Sequence, residues 1–574
     1  MQKRPTQAGR SRLIVETVRR TLRRGFNFRL NRRLRQYLTG YLMVLPAGVL
    51  IFLFGLFPVG FALFVSLYKW RLKRGDFIGL SNYVQAAGDL VYLVLLALAL
   101  GALVGAYLML RRIMAEARER GPLIWILAVP GLLISASAFA LIRWADLALP
   151  AVLDIADKII GQERSRALFM RLLGEALATP AAVSAGRLLL VLLVGGMLAL
   201  LVSAQFANIA GTVELATRFG VLWSALGVAG FLIWVSADAV RSGIGLAENR
   251  SAATPIHAIL IGLGIVMLCL AWPAWRAAAR AGSTRGFILK LGMAALLLVG
   301  GWVFIAELPQ VIAQGDPDMW EGLKVTVLYS LGTVPFQLAF GMLLALLLFQ
   351  KLRGSELFRM LYFLPYVTPA VASAAVFRQL FSNRLQSPAN QIMKLAGLVP
   401  QQWLREPAGI FEILGKGVGI AVPAWAVGPS LALVVIMVFT IWTYAGYDAV
   451  IYLAGLGNID REQIEAAEID GATSWQVFRH IVFPLLSPTT YFLSLIAVIG
   501  TFKAFTQIWV MTVASGGGST ALGTTDTLSV VIFREFYGSL RYGYASALAF
   551  VLFAVILSLT LLNNRIQGSR VFYG

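Results

Sequence analysis

The sequence predicts an all-α polytopic membrane protein, and three observations carry that prediction. Apolar runs of about 20 residues, enough to cross a hydrocarbon core as helix, recur from Tyr41 almost to the C terminus. Of 574 residues, 59% are hydrophobic and 13% charged, a balance that suits spans in lipid rather than a soluble chain with a large core. The net charge of +21 is carried by Arg and Lys at the ends of apolar runs. That placement is what membrane topology requires, and it argues against nucleic acid as the partner. The single Cys269 lies inside an apolar run, so no intrachain disulfide can form. No cleavable signal peptide is expected, because the first apolar run starts near Tyr41 and is too long for a signal's core.

Residues 1–40 hold twelve Lys or Arg against one acid, Glu16, which predicts a cytoplasmic basic tail. Arg12, Arg19, Arg20, Arg23 and Arg24 interleave with Leu13, Val15, Val18 and Leu22. That pattern fits an amphipathic helix on anionic lipid, and equally a basic tail that only sets topology. Residues 41–89 hold the first span, to about Tyr68, with Pro46 and Pro58 inside it, and a polar phrase, Phe77-Ile78-Gly79-Leu80-Ser81-Asn82-Tyr83.

Residues 90–315 read as about six spans: 90–110, 123–142, 186–206, 219–240, 256–275 and 288–307. Basic links at Arg111, Arg112, Arg118 and Arg120, and at Arg276, Arg280, Arg285 and Lys290, face the cytoplasm. Residues 143–185 are polar enough to lie outside as interfacial helix. Residues 316–570 hold five more spans: 326–349, 358–381, 430–455, 488–512 and 543–563. The total is twelve, with both termini cytoplasmic. Lys69, Arg71, Lys73 and Arg74 then lie outside, against the positive-inside trend.

Between two apolar runs lies a polar island in the loop 460–488. Asp460, with Gln463 three residues on, has the spacing to cap a short helix. Gly471 suits the left-handed position that ends it. Thr473 and Gln476 repeat the capping spacing for a second helix, which Pro484 is expected to stop. Trp475, Phe478 and Val482 share a face of that helix. The first helix is expected to expose Ala466 and Ala467, small residues that admit another protein surface, beside the carboxylates of Glu465 and Asp470.

This island resembles the EAA loop of binding-protein-dependent ABC importer permeases. The matching residues are Glu465, Ala466, Ala467, Asp470, Gly471, Ala472, Phe478, Ile481 and Pro484. The Phe77–Tyr83 phrase resembles the one that follows the first span in sugar permeases of the maltose type. Its usual continuation, acidic-Pro-x-x-Trp, occurs only at Asp316-Pro317-Asp318-Met319-Trp320. Met360 to Pro369, Gly516 to Gly518, and Tyr542 to Ala547 resemble further family phrases, with Gly518 where a proline is usual. The resemblance implies a six-span type I permease core with residues 90–315 inserted into it. It also implies an ATPase-coupling role for Glu465, Ala466, Ala467, Asp470, Gly471, Ala472, Phe478 and Pro484.

No catalytic constellation, metal-ligand spacing or G-x-x-x-x-G-K-[ST] phosphate loop occurs, so this chain is not expected to be an enzyme or to hold a cofactor. ATP and magnesium belong on a partner ATPase. Polar residues inside spans mark a path for solute. Thr440, Thr443, Tyr444 and Tyr447 share a helix face before the EAA loop, and Thr501 and Gln507 follow it. Aromatic rings beside hydroxyl and amide groups suit a sugar, although such groups also pack helices together. By the resemblance, Thr440, Thr443, Tyr444, Tyr447 and Thr501 fall where sugar contacts are expected. Asp448 and Lys503 are intramembrane charges that could pair with each other or snorkel to an interface. His480 reads as a solvated or docking residue of the loop.

The expectation is a permease subunit of an ATP-driven importer in a bacterial or archaeal cell membrane. Its implied partners are an ABC ATPase dimer, a second permease subunit, an external solute-binding protein, a carbohydrate and membrane lipid. An importer for a polyamine or phosphate fits the EAA loop equally well. An ion-coupled secondary transporter would need inverted repeats and a mid-membrane ionisable relay, and would leave that loop unexplained.

Overall fold

The computed structural model describes residues 32–120, 122–163, 165–204, 209–247, 284–350, 353–512 and 521–567, together with 260–262, 264 and 267. The chain divides into two units, Met1–Val65 and Ser66–Gly574.

The described part of the first unit is one long helical rod. Helix α1 (Arg32–Ile51) passes through a π-turn at Phe52–Leu56 into α2 (Phe57–Ser66). Its Thr39–Ser66 stretch of 28 residues is long and apolar enough to cross a membrane. The π-turn has a local cause. Pro58 has no N–H, and its ring would press on the carbonyl four residues back, so widening the preceding turn relieves both defects. The Phe57 N–H then bonds to the Phe52 carbonyl, five residues back.

The second unit opens on a hairpin. Strands β1 (Tyr68–Trp70) and β2 (Arg74–Phe77) pair antiparallel, with Tyr68 opposite Phe77. Lys69, Arg71 and Lys73 belong to this hairpin and its turn. Helix α3 (Ser81–Ala87) follows. The Asn82 amide donates to the carbonyls of Ser66 at 2.8 Å and Tyr68 at 3.2 Å. The Tyr83 hydroxyl lies 2.7 Å from the Ser66 hydroxyl. Burial pushes the Tyr83 phenol above its ordinary range, so it stays protonated. The Phe77–Tyr83 phrase therefore ties down a hairpin.

The described residues between 90 and 315 build a helical bundle with its own core. Helices α4 (Leu90–Arg120), α5 (Ala128–Leu153), α6 (Arg166–Leu177), α7 (Pro180–Ala204) and α8 (Ile209–Ala247) are followed by α9 (Thr284–Ala313). Helix α8 packs on α4 and α5, and α5 packs on α7. Ala106, Ile113, Leu127, Leu215, Phe219 and Leu222 are buried together between them. A Cβ at Gly131 would sit 2.5 Å from that of Phe219, so glycine sets how closely α5 and α8 approach. Small residues of this kind drive association in lipid, where apolar burial between helices gains little. At one end of the bundle Arg218 bonds Glu116 and Glu214, each at 2.6 Å. The polar stretch 143–185 differs from expectation at its start, because α5 runs on to Leu153 before the amphipathic α6. The expected span 256–275 falls almost wholly outside the described residues. The last expected one is an apolar stretch, Lys290–Val303, within α9.

The two ends of this region meet. The Asp316 N–H donates to the carbonyls of Gln85 at 3.1 Å and Ala86 at 3.0 Å, closing α3 onto the start of α10 (Pro317–Phe349). Asp316 caps α10, accepting from the Asp318 N–H at 3.0 Å, with Pro317 in the first turn. The Asp316 carboxylate also accepts from the Tyr544 hydroxyl.

Helix α10 lies along α15 (Leu431–Gly457) in the core's most extensive helix pairing. Between them in sequence come α11 (Ser355–Val367), α12 (Ala370–Leu380), α13 (Pro388–Leu395) and α14 (Ile410–Val418). The expected straight span 358–381 is instead two helices bent by 93° at Thr368-Pro369. The cause is Pro369, which forces its predecessor out of the helical region, and Thr368 has ψ 142°. Beyond it, Asn383, Arg384 and Gln386 are exposed, and Asn390 braces the loop by bonding Arg384, Gln401 and Trp403. The chain finishes with α16 (Arg461–Ile469), α17 (Ser474–Val477), α18 (Ser487–Phe502), α19 (Thr506–Thr512), α20 (Leu528–Phe533) and α21 (Tyr542–Gln567). Among the described residues, eight helices are long and apolar enough to cross a membrane, or ten if each of two bent pairs counts as one span.

Candidate coupling loop and transmembrane cavity

The loop after α15 folds as two short helices at an angle. Asp460 occupies the N-cap of α16, but its side chain makes no cap bond, contrary to the expected capping box. Gly471 has φ +84°, so the left-handed end of α16 is as the sequence requires. The second box forms in full: the Gln476 N–H donates to the Thr473 hydroxyl, and the Thr473 N–H donates to the Gln476 side chain at 2.7 Å. Pro484 does not stop this helix. A π-turn at Phe478–Val482 widens the chain ahead of Phe483-Pro484, the same device used at Phe57-Pro58, and the chain bends by 63° only at Leu486.

Glu465, Ala466, Asp470 and Gly471 are exposed. Ala467, expected on the same surface, is half-buried and packs inward with Ile464, Ala472 and Phe478 against Val477, Val482 and Leu486. Helical spacing explains the split, since Ile464 and Ala467 are three residues apart on one face and Ala466 is not on it. The outward face adds Ile469, 86% exposed, and Trp475, 64% exposed. A carboxylate-rimmed surface of small and large apolar side chains is therefore held on a braced support.

Inside the helical core lies a cavity of about 190 Å³ between α10, α11, α15, α18 and α19. Thr440, Tyr444, Tyr447, Thr501, Gln507 and Asp448, all named from sequence, line it. Thr443 does not: its hydroxyl turns back to donate to the Phe439 carbonyl at 2.8 Å. Lys503 is exposed at the C-terminal end of α18 and is not a lining residue, and Asp448 is instead bonded by the Gln337 amide at 2.8 Å. Sequence reasoning missed Tyr329, Gln337 and Tyr366. A signal was present, because Thr326, Tyr329, Ser330, Thr333 and Gln337 form a buried polar stripe at helical spacing in α10.

The polar side of the cavity is held by two sets of hydrogen bonds. The Tyr329 hydroxyl lies 2.6 Å from that of Thr440 and accepts from the Gln507 amide at 3.2 Å. Thr501 donates to Ser330 at 2.8 Å. Facing it is an aromatic wall: Tyr366 stacks on Tyr447 with centroids 4.6 Å apart and meets Tyr444 edge-on at 5.7 Å. Gly500 leaves open space where a side chain would stand. A site of this make-up can stack a ring's C–H face on one side and bond hydroxyls on the other. Among the described residues no cluster of His, Cys, Asp or Glu could hold a metal ion.

Residues 337–570 match the family model described as the binding-protein-dependent transport system inner membrane component. The chain is 32% identical over 250 residues to the lactose transport system permease protein of Rhizobium radiobacter, covering 43% of this chain and 76% of that one. It is 28% identical over 274 residues to the arabinooligosaccharides transport system permease protein of Bacillus subtilis, covering 47% of this chain and 79% of that one. A chain of a bacterial alginate ABC transporter, crystallised with an alginate pentasaccharide-bound periplasmic protein, aligns at 22% identity and TM-score 0.37, over 44% of this chain and 78% of its own. The EAA-type loop and the cavity residues from Gln337 onward lie inside the matched family region, with Tyr329 just ahead of it, and the chain belongs to the binding-protein-dependent ABC transporter permeases, as a membrane-spanning transport component rather than an enzyme.

Proposed function

We propose that this chain is a transmembrane subunit of an ATP-driven importer for a carbohydrate. The observation that carries the reading is the core cavity, where an aromatic wall of Tyr366, Tyr444 and Tyr447 faces the hydroxyl and amide groups of Tyr329, Thr440, Thr501 and Gln507. Relatives named for lactose and arabinooligosaccharide transport support the same solute class. A soluble binding protein delivers the sugar outside, and a second permease chain completes the pathway. A separate ATPase dimer docks on the exposed face of α16, around Glu465, Ala466, Asp470 and Gly471, and there drives alternating access. Asn383, Arg384 and Gln386 meet the binding protein on the outer side. Both termini are cytoplasmic, as the basic N-terminal tail favours.

The test is to purify the chain with its native partners, reconstitute the assembly in liposomes, and measure ATP hydrolysis and uptake with the binding protein loaded with candidate sugars. Sugar-dependent stimulation of hydrolysis, with uptake lost in Tyr444→Ala and Gln507→Ala, is the expected result. Recovery of this chain without an ATPase, under conditions that preserve known complexes, would overturn it.

A further inference from the structure

Resting on the carbohydrate reading, we infer that the cavity selects by charge, accepting neutral or amino sugars and rejecting uronates and sugar phosphates. Among the described residues that line it, Asp448 is the only ionisable acid or base, tyrosines aside, with no Lys, Arg or His. Its carboxylate is held in place by the Gln337 amide at 2.8 Å, which leaves its second oxygen for a ligand. Its Cβ is fixed as well, because Asp448 packs on Gly341, where an added Cβ would lie 2.6 Å away. Close packing at Gly341 thus sets where the side chain leaves the backbone, and the Gln337 bond orients its carboxylate.

The chemistry then runs one way. An ionised carboxylate at this site accepts paired hydrogen bonds from vicinal hydroxyls, or a charge-assisted bond from an ammonium. It repels a second anion in a region where little water screens the charge. A protonated carboxyl would offer an incoming anion one donor and no counter-cation. Either state leaves a uronate or phosphate without a charge partner, and burying an unpaired charge is costly. The nearby hydroxyls of Tyr329, Thr440 and Thr501 are already bonded to one another or to Ser330 and Gln507, so they do not substitute for a cation.

The test reads binding to the permease itself, so that the binding protein's own preference cannot intrude. The reconstituted full transporter is titrated, without binding protein, with a neutral disaccharide, its uronate counterpart and a deacetylated amino disaccharide, using saturation-transfer NMR. The expected result is that the neutral and amino sugars bind about tenfold or more tightly than the uronate. Asp448→Asn should shrink that ratio severalfold, by weakening the neutral and amino sugars and relieving the repulsion of the uronate, and Gln337→Lys should reverse it. Equal binding of the uronate by the unaltered protein, or an unchanged ratio in Asp448→Asn, overturns the charge filter and leaves the carbohydrate reading standing. Binding of none of the three overturns both.

Discussion

Gly446 of α15 lies directly against the carbonyl of Tyr362 in α11, and any Cβ at that position would overlap the carbonyl oxygen. The contact is backbone to backbone, so neither partner can swing aside. Gly446→Ala must therefore push α11 away from α15 and disturb the Tyr366 ring that α11 carries into the cavity. A loss of about 1–3 kcal/mol is expected for such overpacking. Thermal unfolding of the purified protein checks it, with Gly457→Ala, at a position with open space, as the control. Equal melting temperatures for the two variants would refute the packing account.

Gly471 tests the coupling role proposed for the loop. Its φ of +84° costs a β-branched residue roughly 1–2 kcal/mol, and nothing packs within 4 Å of where the new Cβ would stand. Gly471→Val should therefore change the angle between α16 and α17 without unfolding the chain. ATP hydrolysis should continue in the assembled transporter while uptake falls. Normal uptake by this variant would count against a coupling role for the turn.

The closure of Asp316 onto Gln85 and Ala86 makes a prediction about the bundle between them. Leu90 and Val91 still pack on the permease core, so the cut belongs after them. Replacing residues 92–314 with a short Gly/Ser linker should leave a chain that enters the membrane and copurifies with its ATPase. Size-exclusion chromatography and pull-down measure this. An aggregated product would mean that the core depends on the bundle.

Much of this was legible in the sequence where local chemistry decides structure. The Thr473–Gln476 box and the left-handed Gly471 need only neighbouring residues, and both form. The Asp460 box failed, although its spacing was as good, because spacing permits a cap bond without compelling it. The cavity was legible in part. Polar groups of α15, α18 and α19 stood out beside the EAA-type loop, but Tyr329, Gln337 and Tyr366 come from helices distant in sequence, and only tertiary packing brings them in. Thr443 shows the opposite error: a hydroxyl on the right face that satisfies itself on its own backbone, as threonines in apolar helices often do. The Pro484 expectation missed that a helix can absorb a proline by widening one turn.

That widened turn has a mechanical meaning. A π-turn carries one residue more than the α-turn it replaces, and one residue of helix is about 100° of rotation. The turn at Phe478–Val482 sits between α17 and the 63° corner that leads into α18. Under the coupling role proposed above, a load at the loop would be taken up by migrating that surplus residue along the chain. The stroke would then reach Thr501, on the cavity wall, as torsion about the axis of α18 and not as a push along it.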